Sequence, residues 1–188
     1  MLPPLKKRDI INYSIGDFGI NLNFQLIGFF LAYFYTDVFG ISPGHVAGLL
    51  VAARLWDAIN DPVMGFIADK TRTKWGRFRP YVFFGAIPLN LMLVACFYVP
   101  DLSVELKVLY AYVTYILHGM VFTAVGLPYS SISAVMTQDQ QERSLISTLR
   151  MFFAVIIAMS IVNIGTRPFI SRFYPESEAD GFFALAVI

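Results

Sequence analysis

The sequence predicts an all-α protein embedded in a membrane. Three observations carry that prediction. Hydrophobic residues make up 57% of the 188 and charged residues only 14%, against about 25% charged in ordinary soluble domains. The mean hydropathy is +0.63, and the apolar residues gather into runs long enough to cross a bilayer. The basic residues bunch into short segments between those runs, so a net charge of +1 conceals strong clustering. With no overall basicity, nucleic acid is excluded as a partner. Cys96 is the one cysteine and lies in an apolar run, so an internal disulfide is impossible and the residue reads as a small packing element.

A bilayer core of about 30 Å needs roughly 20 mostly apolar residues per helix. Five such spans are predicted, at 10–36, 44–68, 81–99, 106–128 and 145–165. A sixth apolar run, 181–188, ends after too few residues to cross, so the chain is read as one amino-terminal bundle over 1–188 whose sixth helix is truncated. The first span follows Lys6, Lys7 and Arg8 but is interrupted by Asp17, Asn21, Asn23 and Gln25 and lacks an A-x-A-like site. It is therefore read as a retained span and not a cleaved signal. Lys70, Arg72, Lys74, Arg77 and Arg79 separate spans 2 and 3, and Arg143 separates spans 4 and 5. All three basic segments fall on one side, which by the positive-inside rule is the cytoplasm. The expected protein is a multi-pass component of the cytoplasmic (inner) membrane with its N-terminus inside.

Polar residues within the spans point to function. An intramembrane charge costs about 2.5–3.5 kcal/mol on insertion scales and calls for a partner or a task. On span 1, Tyr13, Asp17, Asn21 and Gln25 recur every four residues and share one face. The two amides fit interhelical packing as well as function, whereas Asp17 is expected to be functional. On span 2, Arg54, Asp57, Asn60 and Asp61 are read as one face. Two carboxylates one turn apart repel when ionised, so a cation, a proton or Arg54 must offset them. Hard oxygen ligands suit an alkali cation or a proton and exclude a soft transition metal. A closed Arg54–Asp57 brace is the plain alternative, and it leaves Asp61 without a role. On span 4, Tyr115, Gly119, Thr123, Gly126 and Ser130 line one side, the glycines for close packing and Thr123 as a further oxygen. Arg150 either snorkels to the surface or donates to substrate hydroxyls or a carboxylate. His118 is read as a packing or bonding residue.

The segment GFIADKTRTKWGRFRP, framed by Gly65, Asp69, Arg72, Gly76 and Arg77, resembles the loop signature between helices 2 and 3 of the major facilitator superfamily. Gly65 is expected to permit helix approach and Asp69 to pair with a basic residue as a conformational latch. The run RLWDAINDPVMG at 54–65 is more specific. With YSIGD at 13–17, FYTDVFG at 34–40, WGRFRP at 75–80 and LPYSS at 127–131, it resembles the glycoside-pentoside-hexuronide:cation symporters. That resemblance is collinear along the whole chain and covers the first half of a family member. It implies a cation site of Asp57, Asn60, Asp61 and Thr123, with sodium as the metal at Asp57 and Asp61, and sugar contacts at Asp17 and Arg150. Positions at which the family's melibiose carriers hold further sugar contacts are Gly16, Gly126 and Ser130 here. The cation site looks kept and the sugar site altered.

The resemblance implies no enzyme and no cofactor beyond a coupling ion, Na+ or H+, with Asn60 favouring sodium. The expected activity is symport of a sugar, glycoside, pentoside or hexuronide across the cytoplasmic membrane. The partners are that small-molecule substrate, a monovalent cation, the lipid bilayer and a missing C-terminal half. The alternative is a truncated, non-transporting membrane fragment or an assembly partner for another chain.

Pro62 has no N–H with which to bond the Ala58 carbonyl, and that oxygen is expected to supplement the cation shell or to accept a water. Pro62→Ala should therefore weaken the cation affinity of uptake. A cation titration with unchanged affinity and rate would remove the carbonyl from the shell.

Overall fold

The computed structural model describes residues 5–188, and every regular element among them is helical. Helix α1 spans Lys7–Val38, its last five residues, Phe34–Val38, widening into a π turn. Gly40, at φ +81°, reverses the chain. Ser42 then caps α2 (Pro43–Lys70) by accepting from the His45 amide, and Pro43 occupies the first turn where its missing N–H costs nothing. Helix α3 is Arg79–Cys96 and α4 is Val104–Met136. Asp139 accepts from the Gln141 and Glu142 amides at 2.8 and 2.9 Å and so starts α5, Gln140–Phe173. A π segment, Phe152–Ala158, interrupts α5. Ser177 caps α6, Glu178–Val187.

Four of these helices, α1, α3, α4 and α5, are long and apolar enough to cross a membrane. Five were expected, and α2 is the exception. Its 28 residues suffice in length, but Arg54, Asp57 and Asp61 interrupt its apolar character. Helices α4 and α5 also outrun the predicted 106–128 and 145–165. Past Pro128, the hydroxyls of Ser131 and Ser133 donate to the carbonyls of Leu127 and Ser130 on their own helix, and the Asp139 cap lets α5 begin before its apolar stretch.

The helices alternate in direction. At one end the Leu5 amide donates to Glu142 Oε1 at 2.9 Å, and Thr137 bonds the other oxygen of that carboxyl at 2.5 Å. The amino end of α1 therefore meets the α4–α5 turn. At the other end Tyr33 donates to Glu178 at 2.7 Å, and Lys107 Nζ donates to the Phe39 carbonyl at 3.4 Å. The main core lies at this second end. Phe34, Phe97 and Phe182 pack with ring centroids 5.0–5.7 Å apart, surrounded by buried Leu31, Tyr35, Phe39, Leu49 and Cys96. Aromatic burial and edge contacts of this kind hold α1, α3 and α6 together. Helices α3 and α4 pack closely along much of their length.

They approach tightly at Gly85, where a Cβ would stand 2.4 Å from a Val125 methyl. Gly85→Leu should destabilise the bundle by about 1–3 kcal/mol, the usual cost of overpacking. Gly165→Ala, where nothing lies within 4 Å of the added carbon, is the matched control. Thermal unfolding in detergent reads the difference, and equal midpoints would mean that α3 and α4 can separate without cost.

Candidate cation and substrate site

On the amino-terminal half of α1, Asp17 is buried, with only 8% of its side chain exposed. Arg150, from the last turn of α5 before the π segment, forks onto it. Nε donates to Oδ2 at 3.1 Å and Nη2 to Oδ1 at 3.2 Å. A third bond, at 3.3 Å, runs from Nη2 to Ser130 Oγ on α4. The guanidinium also sits 5.6 and 5.5 Å from the ring centres of Tyr13 and Tyr129, which stack on each other at 4.8 Å. Each of these tyrosines donates its hydroxyl to the other's backbone carbonyl. Side chains thus tie α1, α4 and α5 together around one bidentate ion pair, the strongest common form of charge-assisted hydrogen bond. Asn21 turns its amide back onto the Asp17 carbonyl at 2.9 Å.

On α2, Asp61 accepts from Thr123 of α4 at 2.9 Å. Asp57 faces the same helix, where the absent side chain of Gly119 leaves room: a Cβ there would lie 3.4 Å from Asp57 Oδ1. Arg54 approaches Asp57 at 3.7 Å with 78% of its side chain exposed. This contact is a loose one and not the closed brace considered from the sequence, because the guanidinium keeps most of its solvent-facing surface. Asn60 departs from the expected common face. It is buried in a different groove, between α2, α3 and α4, beside Met64, Tyr81 and Phe84. Three residues from Asp57 and one from Asp61, it is rotated by about 60° and 100° from them at 3.6 residues per turn.

Two cavities meet here. One, of about 500 Å³, is lined by Asp17, Asn21, Asp61, Thr123, Ser130 and Arg150. The other, of about 220 Å³, is lined by Arg54, Asp57, Asp61, Tyr115, His118 and Thr123. Asp61 and Thr123 belong to both, so the two pairs of polar residues read separately from α1/α5 and α2/α4 are contiguous. Two carboxylates and a hydroxyl supply the hard oxygen donors that a small cation or proton needs. Among the described residues no group of three or more His, Cys, Asp or Glu is placed to hold a metal ion.

Some features were not foreseen. Asn23, off the predicted stripe, bonds His118 Nε2 at 2.7 Å in a buried contact. Tyr129 completes the clamp on Arg150, although only the LPYSS motif signalled its position. In the loop, Asp69 pairs with Arg77 at 3.5 Å, the acid–base pairing expected of it. Arg72 stands exposed in the same loop. Gly76 adopts φ +96°, a left-handed turn that a side chain would strain. Gly65 corrects an expectation: no neighbouring atom lies within 4 Å of where its Cβ would be, so the close helix approach assigned to it is not made among the described residues.

With this geometry, residues 12–188 match the family described as MFS/sugar transport protein. The chain belongs to that family of membrane transporters. It is 42% identical over 179 residues to the isoprimeverose transporter of Lactiplantibacillus pentosus, covering 94% of this chain and 37% of that protein. Over 179 residues it is 41% identical to YagG of Escherichia coli (strain K12), a proposed glycoside/cation symporter, covering 95% and 39%. The inner membrane symporter YicJ of the same strain is 37% identical over 167 residues, covering 85% and 36%. The chain therefore spans little more than a third of the length of these relatives.

The ion pair sets the stability expectation. Asp17→Asn or Arg150→Gln alone leaves a buried charge without its partner and should cost about 3–5 kcal/mol. The double variant should cost less than the sum of the two. Chemical denaturation of the purified protein measures all three, and additive effects would deny the coupling that the bidentate geometry requires.

Proposed function

We propose that this chain forms the amino-terminal six-helix half of a cation-coupled symporter that moves a sugar, glycoside, pentoside or hexuronide across the cytoplasmic membrane. The observation that carries the reading is the shared wall of the two cavities. Asp61 and Thr123 stand between the Asp57 carboxylate and the Asp17–Arg150 pair. The names of the relatives, an isoprimeverose transporter and a proposed glycoside/cation symporter, support the same substrate class.

In this reading the coupling ion, Na+ or H+, is a substrate held by Asp57 and Asp61 with the Thr123 oxygen. Its charge offsets the repulsion of two carboxylates one turn apart. The sugar lies in the larger cavity, where Asp17 accepts from its hydroxyls and Arg150 donates to them. Tyr13 and Tyr129 hold the guanidinium in place. Asn60 acts on the ion through the position of α2 and not as a direct ligand, which removes the argument it gave for sodium. The N-terminus and the loop of Asp69, Arg72, Gly76 and Arg77 face the cytoplasm. A second, carboxy-terminal half completes the transporter, and the two halves rock about the midplane site.

Uptake by the full-length protein, with sodium and pH varied independently, tests the reading. Asp57→Cys and Asp61→Cys should each abolish the dependence of uptake on the coupling ion, and Thr123→Ala should weaken ion affinity with less effect on the maximal rate. Unchanged ion dependence in both Cys variants would place the ion elsewhere.

A further inference from the structure

The loop between α2 and α3 carries more charge than its one internal pairing uses. Lys70, Arg72, Lys74, Arg77 and Arg79 fall within ten residues, against Asp69 as the only acid. Asp69 pairs with Arg77. Among the described residues the other four cations pair with no carboxylate. Two of them lie over aromatic rings: Lys70 Nζ is 4.1 Å from the centre of Phe66, and Lys74 Nζ is 5.3 Å from that of Trp75. Trp75 in turn packs on Phe84 at 5.4 Å and Phe83 at 6.5 Å.

Those phenylalanines begin a continuous apolar track. Phe83, Ile87 and Leu91 are 73%, 69% and 58% exposed along α3. Beside them runs an open groove of about 620 Å³ between α2, α3 and α4, lined by Met64, Tyr81, Phe84, Pro88, Met120 and Ala124. Its end at the loop is closed by Thr71 and Tyr81, whose hydroxyls bond at 2.5 Å. Arg72 and Arg79 adjoin Thr71 and Pro80 in sequence, and Trp75 packs on Phe84 of the groove wall, which brings the basic loop to this end of the groove. A tryptophan and clustered cations at the end of a hydrocarbon-lined groove match the layered chemistry of a phospholipid. Aromatic rings favour the headgroup level, and cationic side chains beside them attract anionic headgroups at about 1 kcal/mol each.

We propose that this loop and groove form a binding site for an anionic phospholipid, its phosphate held by Arg72, Lys74 and Arg79 and one acyl chain lying along Phe84, Pro88 and Met120. The occupant is a lipid and not a soluble phosphate, because the basic loop adjoins a mostly apolar groove that a free anion would leave uncovered. Unlike a general positive-inside bias, the site distinguishes headgroups at one place on the surface.

These 188 residues hold two tryptophans, so Trp56→Phe, with any tryptophan outside them also changed to Phe, leaves Trp75 as the reporter. In the reconstituted protein, Trp75 emission should be quenched more by brominated phosphatidylglycerol than by brominated phosphatidylcholine at equal mole fraction. The expected local enrichment is roughly fivefold, the ratio that about 1 kcal/mol per cation gives for one net contact. The preference should vanish in R72Q/K74Q/R79Q. In the unsubstituted loop it should vanish at high salt, where the Debye length falls from about 30 to about 3 Å. A second reporter, Met120→Trp in a Trp56→Phe/Trp75→Phe background, should show the same preference from inside the groove. Equal quenching by the two lipids, or a preference that survives both charge removal and salt, overturns the proposal. Loss of the preference at Met120→Trp alone overturns the acyl-chain placement.

Discussion

Every feature of this bundle answers to the cost of placing charge in hydrocarbon. Asp17, Arg54, Asp57, Asp61 and Arg150 all lie within helices otherwise suited to lipid, and each such charge costs several kcal/mol unless it is partnered or faces a polar cavity. The fold meets that demand by gathering them along one seam of two adjoining cavities. Asp17 and Arg150 neutralise each other through two hydrogen bonds. Asp61 takes a hydroxyl from Thr123, and Arg54 leans toward Asp57 while staying largely exposed. Helix directions, the placement of small residues on α4 and the tyrosine clamp follow from the need to bring these groups together.

The two ends of the seam differ in rigidity. Around Arg150, three helices converge on one guanidinium with stacked rings on its flank and reciprocal hydroxyl-to-carbonyl bonds behind it. Around Asp57 and Asp61, α2 leans chiefly on α4 and leaves Leu55, Ile59 and Val63 exposed on its outer side. Among the described residues α2 is thus supported chiefly from one side. Under the proposed function, that asymmetry assigns the moving part to the ion-binding acids and the fixed part to the sugar-binding pair. The π segment Phe152–Ala158 starts two residues after Arg150, and such segments are frequent at functional sites.

Much of this was legible in the sequence, for identifiable reasons. Helix existence follows from hydropathy, and the four-residue stripe on α1 placed Asp17 inward because helical periodicity leaves no other choice. The acid–base pairing in the loop followed from one acid among five cations. Other features have no such local signal. Nothing in the order of residues announces that Tyr13 and Tyr129, 116 positions apart, exchange hydrogen bonds, or that Asn23 meets His118 across two helices. Asn60 was misplaced for a geometric reason: Asp61 and Asn60 fall on opposite sides of Asp57, about 100° apart around the helix, enough to carry Asn60 from the cavity wall to the groove behind. Helix α2 escaped a simple span criterion because the charges that make it interesting are those that lower its hydropathy.

Under the proposed function, the shared wall of Asp61 and Thr123 also constrains how ion and sugar influence one another. Because the two cavities are contiguous, a ligand in one alters the electrostatic environment of the other without any long-range relay. An ion held by Asp57 and Asp61 would offset the negative charge that Asp61 presents to the larger cavity. By linkage, a sugar that binds more tightly under those conditions must tighten ion binding by the same factor. Removing the Thr123 hydroxyl would lower both affinities together, whereas disrupting Tyr129 would disturb the sugar cavity first and reach the ion only through Arg150. Under the proposed function, coupling is therefore a local property of one wall, and its strength depends on how closely α2 can be drawn to α4 when the repulsion between its two acids is relieved.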